Sequence, residues 1–146
     1  MHWRIISVGK PGHPWVKEAL EMYWKRLRHH TRLEHVVIKE APVSALENQI
    51  MHACSGSLCI LLDERGRQLR SVELARWIED QEVRGRRQVC FVVGGADGHS
   101  PALRAKAEEC WALSSFTLQH DIALIVVAEQ LYRAYSILRG TPYHRE

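Results

Sequence analysis

No apolar run in this chain of 146 residues is long enough to cross a membrane. The longest apolar region, Ile122–Leu138, is interrupted by Glu129, Gln130 and Arg133 and reads as a buried helix. Met1–Lys10 lacks the apolar stretch and small-residue cleavage site of a secretory leader. The four cysteines, Cys54, Cys59, Cys90 and Cys110, form no Cys-x-x-Cys pair, and Cys59 and Cys90 sit in apolar runs where a thiol acts as a small hydrophobe. Free thiols in a reducing cytoplasm are therefore expected. The absence of Gly-Lys-Ser/Thr excludes a P-loop, and no dinucleotide fingerprint is present. No repeat, low-complexity tract or linker divides residues 1–146, and that length suits one domain with a real core.

The usual catalytic constellations are missing as well. His29-His30 and His99 have no companion carboxylate at metal-ligand spacing, so no metal is expected. Asp63-Glu64 is the kind of adjacent pair that more often marks a solvated turn than an acid/base dyad, and Cys110 beside Trp111 suits packing. A chain this poor in reactive groups points to chemistry that a cofactor brings, with the protein supplying binding and orientation. The net charge of +3 and pI near 8.8 tolerate a polyanionic partner without requiring one.

What is present centres on Val89–Pro101, VCFVVGGADGHSP. Cys90–Val93 is too short and too β-branched for a helix and reads as a strand buried on both faces. It empties through Gly94, Gly95 and Gly98 into Ser100-Pro101, a helix start with a capping hydroxyl and a proline whose missing N–H costs nothing. In α/β sheets, ligands bind at such carboxyl ends.

The remaining pattern predicts strands at Arg4–Val8, Leu33–Lys39 and Ser57–Leu62. Helices are predicted from Pro14, from Pro42 to about Cys54, from Ser71 to about Val83 with Ser71 as cap, and over Pro101–Glu109. Asp63–Gly66 reads as a polar loop, Leu113–Leu118 as a strand entering a loop, and His120 or Asp121 as the start of a last helix that Gly140 and Pro142 end. The sum is a doubly wound, mainly parallel α/β sheet with helices on both faces. The last helix is apolar around almost its whole circumference, so one sheet face cannot cover it and a second subunit is expected. Leu62-Asp63, Gly94-Gly95 and Leu113–Leu118 converge on one edge. The last of these offers backbone amides and hydroxyls between apolar side chains, which suits an adenine and a ribose.

Assembled, these residues resemble the small SPOUT-class bacterial methyltransferases of the ribosomal RNA large subunit methyltransferase H family. The matching stretches are LLDERGRQL (Leu61–Leu69), FVVGGADGHSP (Phe91–Pro101), LSSFTLQH (Leu113–His120), AEQLYRAYSI (Ala128–Ile137) and GTPYHRE (Gly140–Glu146). The similarity runs nearly end to end and is weakest over Ala41–Ser57. It implies a single α/β knot, trefoil-threaded at the C-terminus, which general chain-topology rules would not anticipate. It implies S-adenosylmethionine as cofactor, contacted by Leu62, Gly94, Leu113, Ser114, Ser115, Phe116, Thr117 and Leu118. It also implies methylation of N3 of a pseudouridine in 23S rRNA by a homodimer acting on assembled ribosomes, with no membrane partner.

Two positions depart from the family pattern: Gln119-His120 stands where Pro-His is usual, and Leu124 where an arginine is usual, although Arg133 and Arg145 are retained. A non-catalytic dimeric ribosome- or RNA-binding module of the same fold is the alternative. A small flavodoxin-like nucleotide-binding enzyme is a third reading, on fold analogy alone. The tail, Tyr143-His144-Arg145, offers a ring for a base to stack on, a titratable imidazole and a phosphate ligand. With Arg133, these are the catalytic candidates, His144 being the expected proton acceptor.

Overall fold

The computed structural model describes residues 1–94 and 98–145; Gly95, named above in the glycine loop, and Glu146 lie outside them. Five strands, β1 (His2–Val8), β2 (Arg32–Ile38), β3 (Leu58–Gln68), β4 (Gln88–Val93) and β5 (Glu109–Ala112), form one sheet in the order β2-β1-β4-β3-β5. Every pairing is parallel. Between them run α1 (Pro14–Leu27), α2 (Val43–Ala53), α3 (Ser71–Val83) and α4 (Pro101–Lys106), and α5 (His120–Arg139) closes the chain.

Period-two alternation in the central strands builds two cores. Trp3 and Ile5 of β1, Leu58 and Ile60 of β3, and Val89, Phe91 and Val93 of β4 face α1, α3 and α5. Ile6 and Val8, Cys59 and Leu61, and Cys90 and Val92 face the opposite way, against Ile50 and Cys54 of the α2 end and Leu103 of α4. The sheet is thus covered on both faces, as continuous apolar strands require. All four cysteines are free thiols, and Cys54, Cys59 and Cys90 are buried in this second core. No described helix is long and apolar enough to cross a membrane.

The expected caps divide. Ser100 accepts the Leu103 N–H at 3.1 Å and Gly140 ends α5 with φ 70°, both as the sequence indicates. Ser71, by contrast, is the first helical residue of α3. The Glu73 carboxylate accepts the Arg70 N–H at 2.6 Å, and the Ser71 hydroxyl donates instead to Gln130 Oε1 at 2.6 Å. Helix α4 stops at Lys106, short of Glu109, because Ala107 turns extended and Glu108 accepts the Cys59 N–H at 2.9 Å. Glu109 is thereby delivered to the sheet.

The larger correction concerns the sheet edge. The last strand is Glu109–Ala112, and Leu113–Leu118 is irregular. In that stretch Ser114 Oγ accepts the Phe116 N–H at 2.9 Å, a local bond that competes with a ladder. Asp63–Gly66 does not end β3. It bulges out between two pairings of the same partner, Leu62↔Trp111 and Arg67↔Trp111, after which β3 resumes beside β5. Helix α5 lies between α1 and α3, so neighbours within the chain take up much of its apolar circumference. Ile122 remains 38% exposed.

Gly66 is what lets the bulge close. A Cβ there would stand 2.6 Å from the Cys110 carbonyl carbon and oxygen and from the Trp111 nitrogen, all of them backbone atoms. Nothing in that triad can rotate away. Gly66→Ala is therefore expected to push β5 off β3 and to destabilise the protein by ~1–3 kcal/mol, the cost of overpacking. A urea midpoint equal to that of the parent chain would contradict this.

Candidate active site

The bulge in β3, the carboxyl end of β4, the segment after β5 and the head of α5 enclose a cleft of about 270 Å³, just under the usual lower bound for ligand pockets. Leu62, Gly94, Leu113, Ser114, Phe116, Thr117 and Leu118 all line it; Ser115 is exposed and does not. Apolar walls come from Leu62, Val93, Leu113 and Leu118, and the rim carries Asp63, Glu64, Arg65 and Arg104.

Gly94 is needed by the chain itself. A Cβ there would lie 3.2 Å from the Gly98 carbonyl carbon and from His99 Cε1, so glycine lets the end of β4 settle against residues 98 and 99 without displacing them. The head of α5 is fixed with similar economy. Gln119 Oε1 accepts the Asp121 and Ile122 N–H groups at 3.0 and 3.2 Å, so this departure from the family pattern is the helix cap. Asp121, itself buried, accepts the Gly12 N–H at 2.9 Å and fastens the first loop to the same spot.

Sequence reasoning missed three groups here. Asp63 does not behave as a solvated turn residue: its side chain is 9% exposed, accepts the Arg65 N–H at 2.9 Å and faces Arg104 Nη1 at 3.6 Å. Arg104 also donates to the His99 carbonyl at 2.9 Å. His99 is buried, with Nε2 3.3 Å from the Val92 carbonyl oxygen, and burial holds its pKa below the ordinary imidazole value. The adjacent carboxylates and Arg104 at helical distance from Ser100 were visible in the chain; their convergence depended on the bulge at Asp63–Gly66. Leu124, where the family carries arginine, is 2% exposed in the core, so that turn of α5 presents no cation.

The tail is packed, not frayed. Arg133 holds Glu129 in a fork, Nη2 at 2.7 Å and Nε at 3.0 Å from Oε1, and stands 3.2 Å from His144 Nδ1 through Nη1. Tyr143 donates to the same Glu129 oxygen at 3.2 Å while Arg133 lies 4.8 Å over its ring. Burial, then the Tyr23 hydroxyl and Glu129, push the Tyr143 phenol well above its usual pKa; the Glu129 bond likewise raises Arg133. Arg145 is exposed and, with His144, Arg70 and Ser71, borders a further hollow.

The cleft and the tail sit at the two ends of one lane. Leu62 and Leu113 are shared with a middle cavity of about 300 Å³ floored by Phe91 and Trp111, and that cavity shares Arg70 and Ser71 with the tail hollow. The ends do not touch, since Arg133 is ten residues beyond Ala123, about 15 Å along α5.

A parallel α/β sheet with a cleft made by a strand end, glycine and a serine- and threonine-rich loop places its candidate site where such sheets bind ligands. The family model described as predicted SPOUT methyltransferase matches residues 1–144, and the chain belongs to that family. It is 37% identical over 145 residues to the ribosomal RNA large subunit methyltransferase H of Deinococcus radiodurans, covering 99% of each chain. The protein of the same name from Thermus thermophilus is 38% identical over 145 residues, again covering 99% of each. Among solved structures, a probable methyltransferase from Bordetella pertussis Tohama I superposes with a TM-score of 0.59 at 14% identity, over 91% of this chain and 95% of that one. The tRNA (m1G37) methyltransferase of Aquifex aeolicus does so with a TM-score of 0.58 at 12% identity, over 99% and 74%. These two likenesses speak to the fold alone.

The buried imidazoles give the fold a pH dependence of known sign. Burial lowers the pKa of both His99 and His35 from 6.5, so below that value the unfolded chain binds more protons than the folded one. Stability is expected to be flat above about pH 7 and to fall as pH drops through the imidazole range. Urea unfolding across that range measures it, and His99→Gln should flatten the slope. Stability that rises on acidification would contradict the assignment.

Proposed function

We propose that the protein is an S-adenosylmethionine-dependent methyltransferase of large-subunit ribosomal RNA, methylating N3 of a pseudouridine on assembled ribosomes in the cytoplasm. The observation that carries this is the convergence of Leu62, Gly94 and most of Leu113–Leu118 on one cleft, in a chain whose near-full-length relatives bear the ribosomal RNA methyltransferase name. The reading includes a single domain whose C-terminal segment is threaded through the loop it binds beside.

The cleft fits the cofactor. Leu62, Val93, Leu113 and Leu118 would flank an adenine, the backbone and hydroxyls of Ser114 and Thr117 would meet ribose and ring edges, and Asp63 and Glu64 place carboxylates at the rim for the cationic sulfonium and amine. Thr117 already donates to Glu64 Oε2 at 2.6 Å, which holds that rim in place. When bound, S-adenosylmethionine supplies an electrophilic methyl group, so the protein's task is alignment and removal of one proton.

The tail residues suit that second task. N3 of the base lies between two carbonyls and must lose its proton, and His144 accepts it at Nδ1 only when that nitrogen exchanges the Arg133 guanidinium, which donates to it at 3.2 Å, for the substrate. Arg133 positions His144 through Nη1 while its other nitrogens are committed to Glu129. Arg145 is exposed and open to a phosphate. Because cleft and tail of one chain lie about 15 Å apart along α5, His144 reaches the reacting nitrogen only if a second copy supplies it. A homodimer through the free side of α5, where Ile122 is exposed, meets that requirement.

The test is calorimetric titration with S-adenosylmethionine, followed by methyl transfer to undermethylated ribosomes with the nucleoside identified by mass spectrometry. Binding together with N3-methylpseudouridine is expected; cofactor binding without any transfer would favour the non-catalytic module. Deleting Pro142–Glu146 should leave cofactor binding near normal and cut transfer at least ~100-fold, the lower range for acid–base groups. Full activity in the truncated protein would remove the tail from the site.

A further inference from the structure

The strand starts form an edge of their own, opposite the cleft. Each helix of a parallel sheet runs back against the strands it joins, so the carboxyl ends of α1, α3 and α5 collect there. Basic side chains collect with them. Arg28 and His29 follow α1, Arg84, Arg86 and Arg87 follow α3, Arg139 ends α5 and Arg32 opens β2; all are exposed. Backbone bonds tie these segments together. The His2 N–H donates to the Arg87 carbonyl at 2.7 Å, and the Arg32 N–H and Thr31 hydroxyl donate to the Met1 carbonyl at 3.3 and 2.7 Å.

The densest part is Arg84-Gly85-Arg86-Arg87, where Gly85 at φ 77° turns the chain. Its three guanidinium groups border an open cleft of about 550 Å³ with Gly56 and Gln88, and no acid lines it. Arg86 Nε reaches Gln81 Oε1 at 3.3 Å, yet among the described residues none of the three is ion-paired with a carboxylate. Glu34, at the start of the neighbouring strand, is already held by Arg4 at 3.3 Å; Glu82 is exposed on the last turn of α3. The crowding of cations registers at His30, whose pKa is lowered by burial first and then by Arg139 and His29.

Complementing the helix dipole does not explain the cluster. That effect fades within the last turn, whereas Arg86 and Arg87 lie beyond α3 and Arg32 begins a strand. Nor does internal pairing, since among the described residues none of these arginines is ion-paired with a carboxylate. Guanidinium forks match phosphate oxygens two at a time, and exposed unpaired cations gain from releasing the counterions of a polyanion.

We propose that this arginine edge is a second RNA-contact surface, gripping backbone phosphates of ribosomal RNA away from the segment that presents the target base. It rests on the function proposed above for its choice of polyanion. The seven residues of β1 separate the two edges by about 23 Å at 3.3 Å per residue. The Arg84–Arg87 turn and the cleft of the same chain therefore engage different stretches of RNA.

The test is the combined variant Arg84→Ala, Arg86→Ala and Arg87→Ala, with Gly85 kept, bound to protein-free large-subunit ribosomal RNA and to large ribosomal subunits. Affinity is followed between about 50 and 200 mM salt. The plot of log affinity against log salt should become shallower by about 1 for each arginine that meets a phosphate. Affinity at the lower salt should drop roughly tenfold or more, while S-adenosylmethionine titration and the urea midpoint stay as in the parent. Replacing the same three residues by lysine should recover most of the slope. An unchanged slope and affinity overturns the proposal. So does a loss seen on subunits but not on protein-free RNA, which would mark an acidic ribosomal protein as the partner. A parent protein that shows the salt effect but methylates no ribosomal RNA would overturn the function proposed above and leave this surface standing.

Discussion

The cleft depends on a contact between two backbones. β5 is an edge strand held by β3 alone, and β3 can hold it over its full length only because Gly66 brings no side chain to the Cys110–Trp111 peptide. From that contact follow the bulge that turns Asp63 and Glu64 into the rim and the starting point of Leu113–Leu118. A different residue at position 66 would alter the cleft without touching a single one of its lining side chains. Glycine acts there by leaving space empty, an effect that no pattern of hydrogen bonds would reveal.

Much of the frame was legible in the chain, because β4 and the first half of β3 are continuous apolar runs and Pro14, Pro101, Gly85 and Gly140 mark helix ends. Cys90–Val93, Ser100-Pro101 and Gly140 behave as local rules require. What local rules misjudged is the sheet edge. Leu113–Leu118 has strand composition, but Ser114 bonds its own backbone, and Glu109–Ala112 takes the edge because Glu108 anchors it to Cys59. Asp63–Gly66 carries turn composition and does leave the register, but a parallel partner recaptures the chain at Arg67. Such outcomes are decided between elements distant in sequence, where a local window has no access.

The candidate site divides in the same way. Leu62, Gly94, Leu113, Ser114, Phe116, Thr117 and Leu118 line one cleft, and Ser115 stands outside it. The pairing of Asp63 with Arg104, the burial of His99 and the clamp of Glu129 and Arg133 on the tail were not foreseen, since each joins residues whose separation says nothing of contact. Leu124, where the family pattern has arginine, is a buried core residue of this chain.

Trp3 and Tyr135 close the molecule. The indole N–H of the first strand donates to the phenol of the last helix at 2.8 Å, across 132 residues and in the buried core. β1 is also flanked by β4, whose pairing begins at Gln88. During synthesis the amino-terminal strand therefore leaves the exit tunnel long before either its second neighbour or its hydrogen-bond acceptor exists. Such non-local closure makes for slow folding and leaves apolar strand surface exposed in the meantime. For this chain the residues of β1 are made well before they are satisfied, and a nascent fragment ending before α5 holds an indole and an unroofed sheet face waiting for a partner.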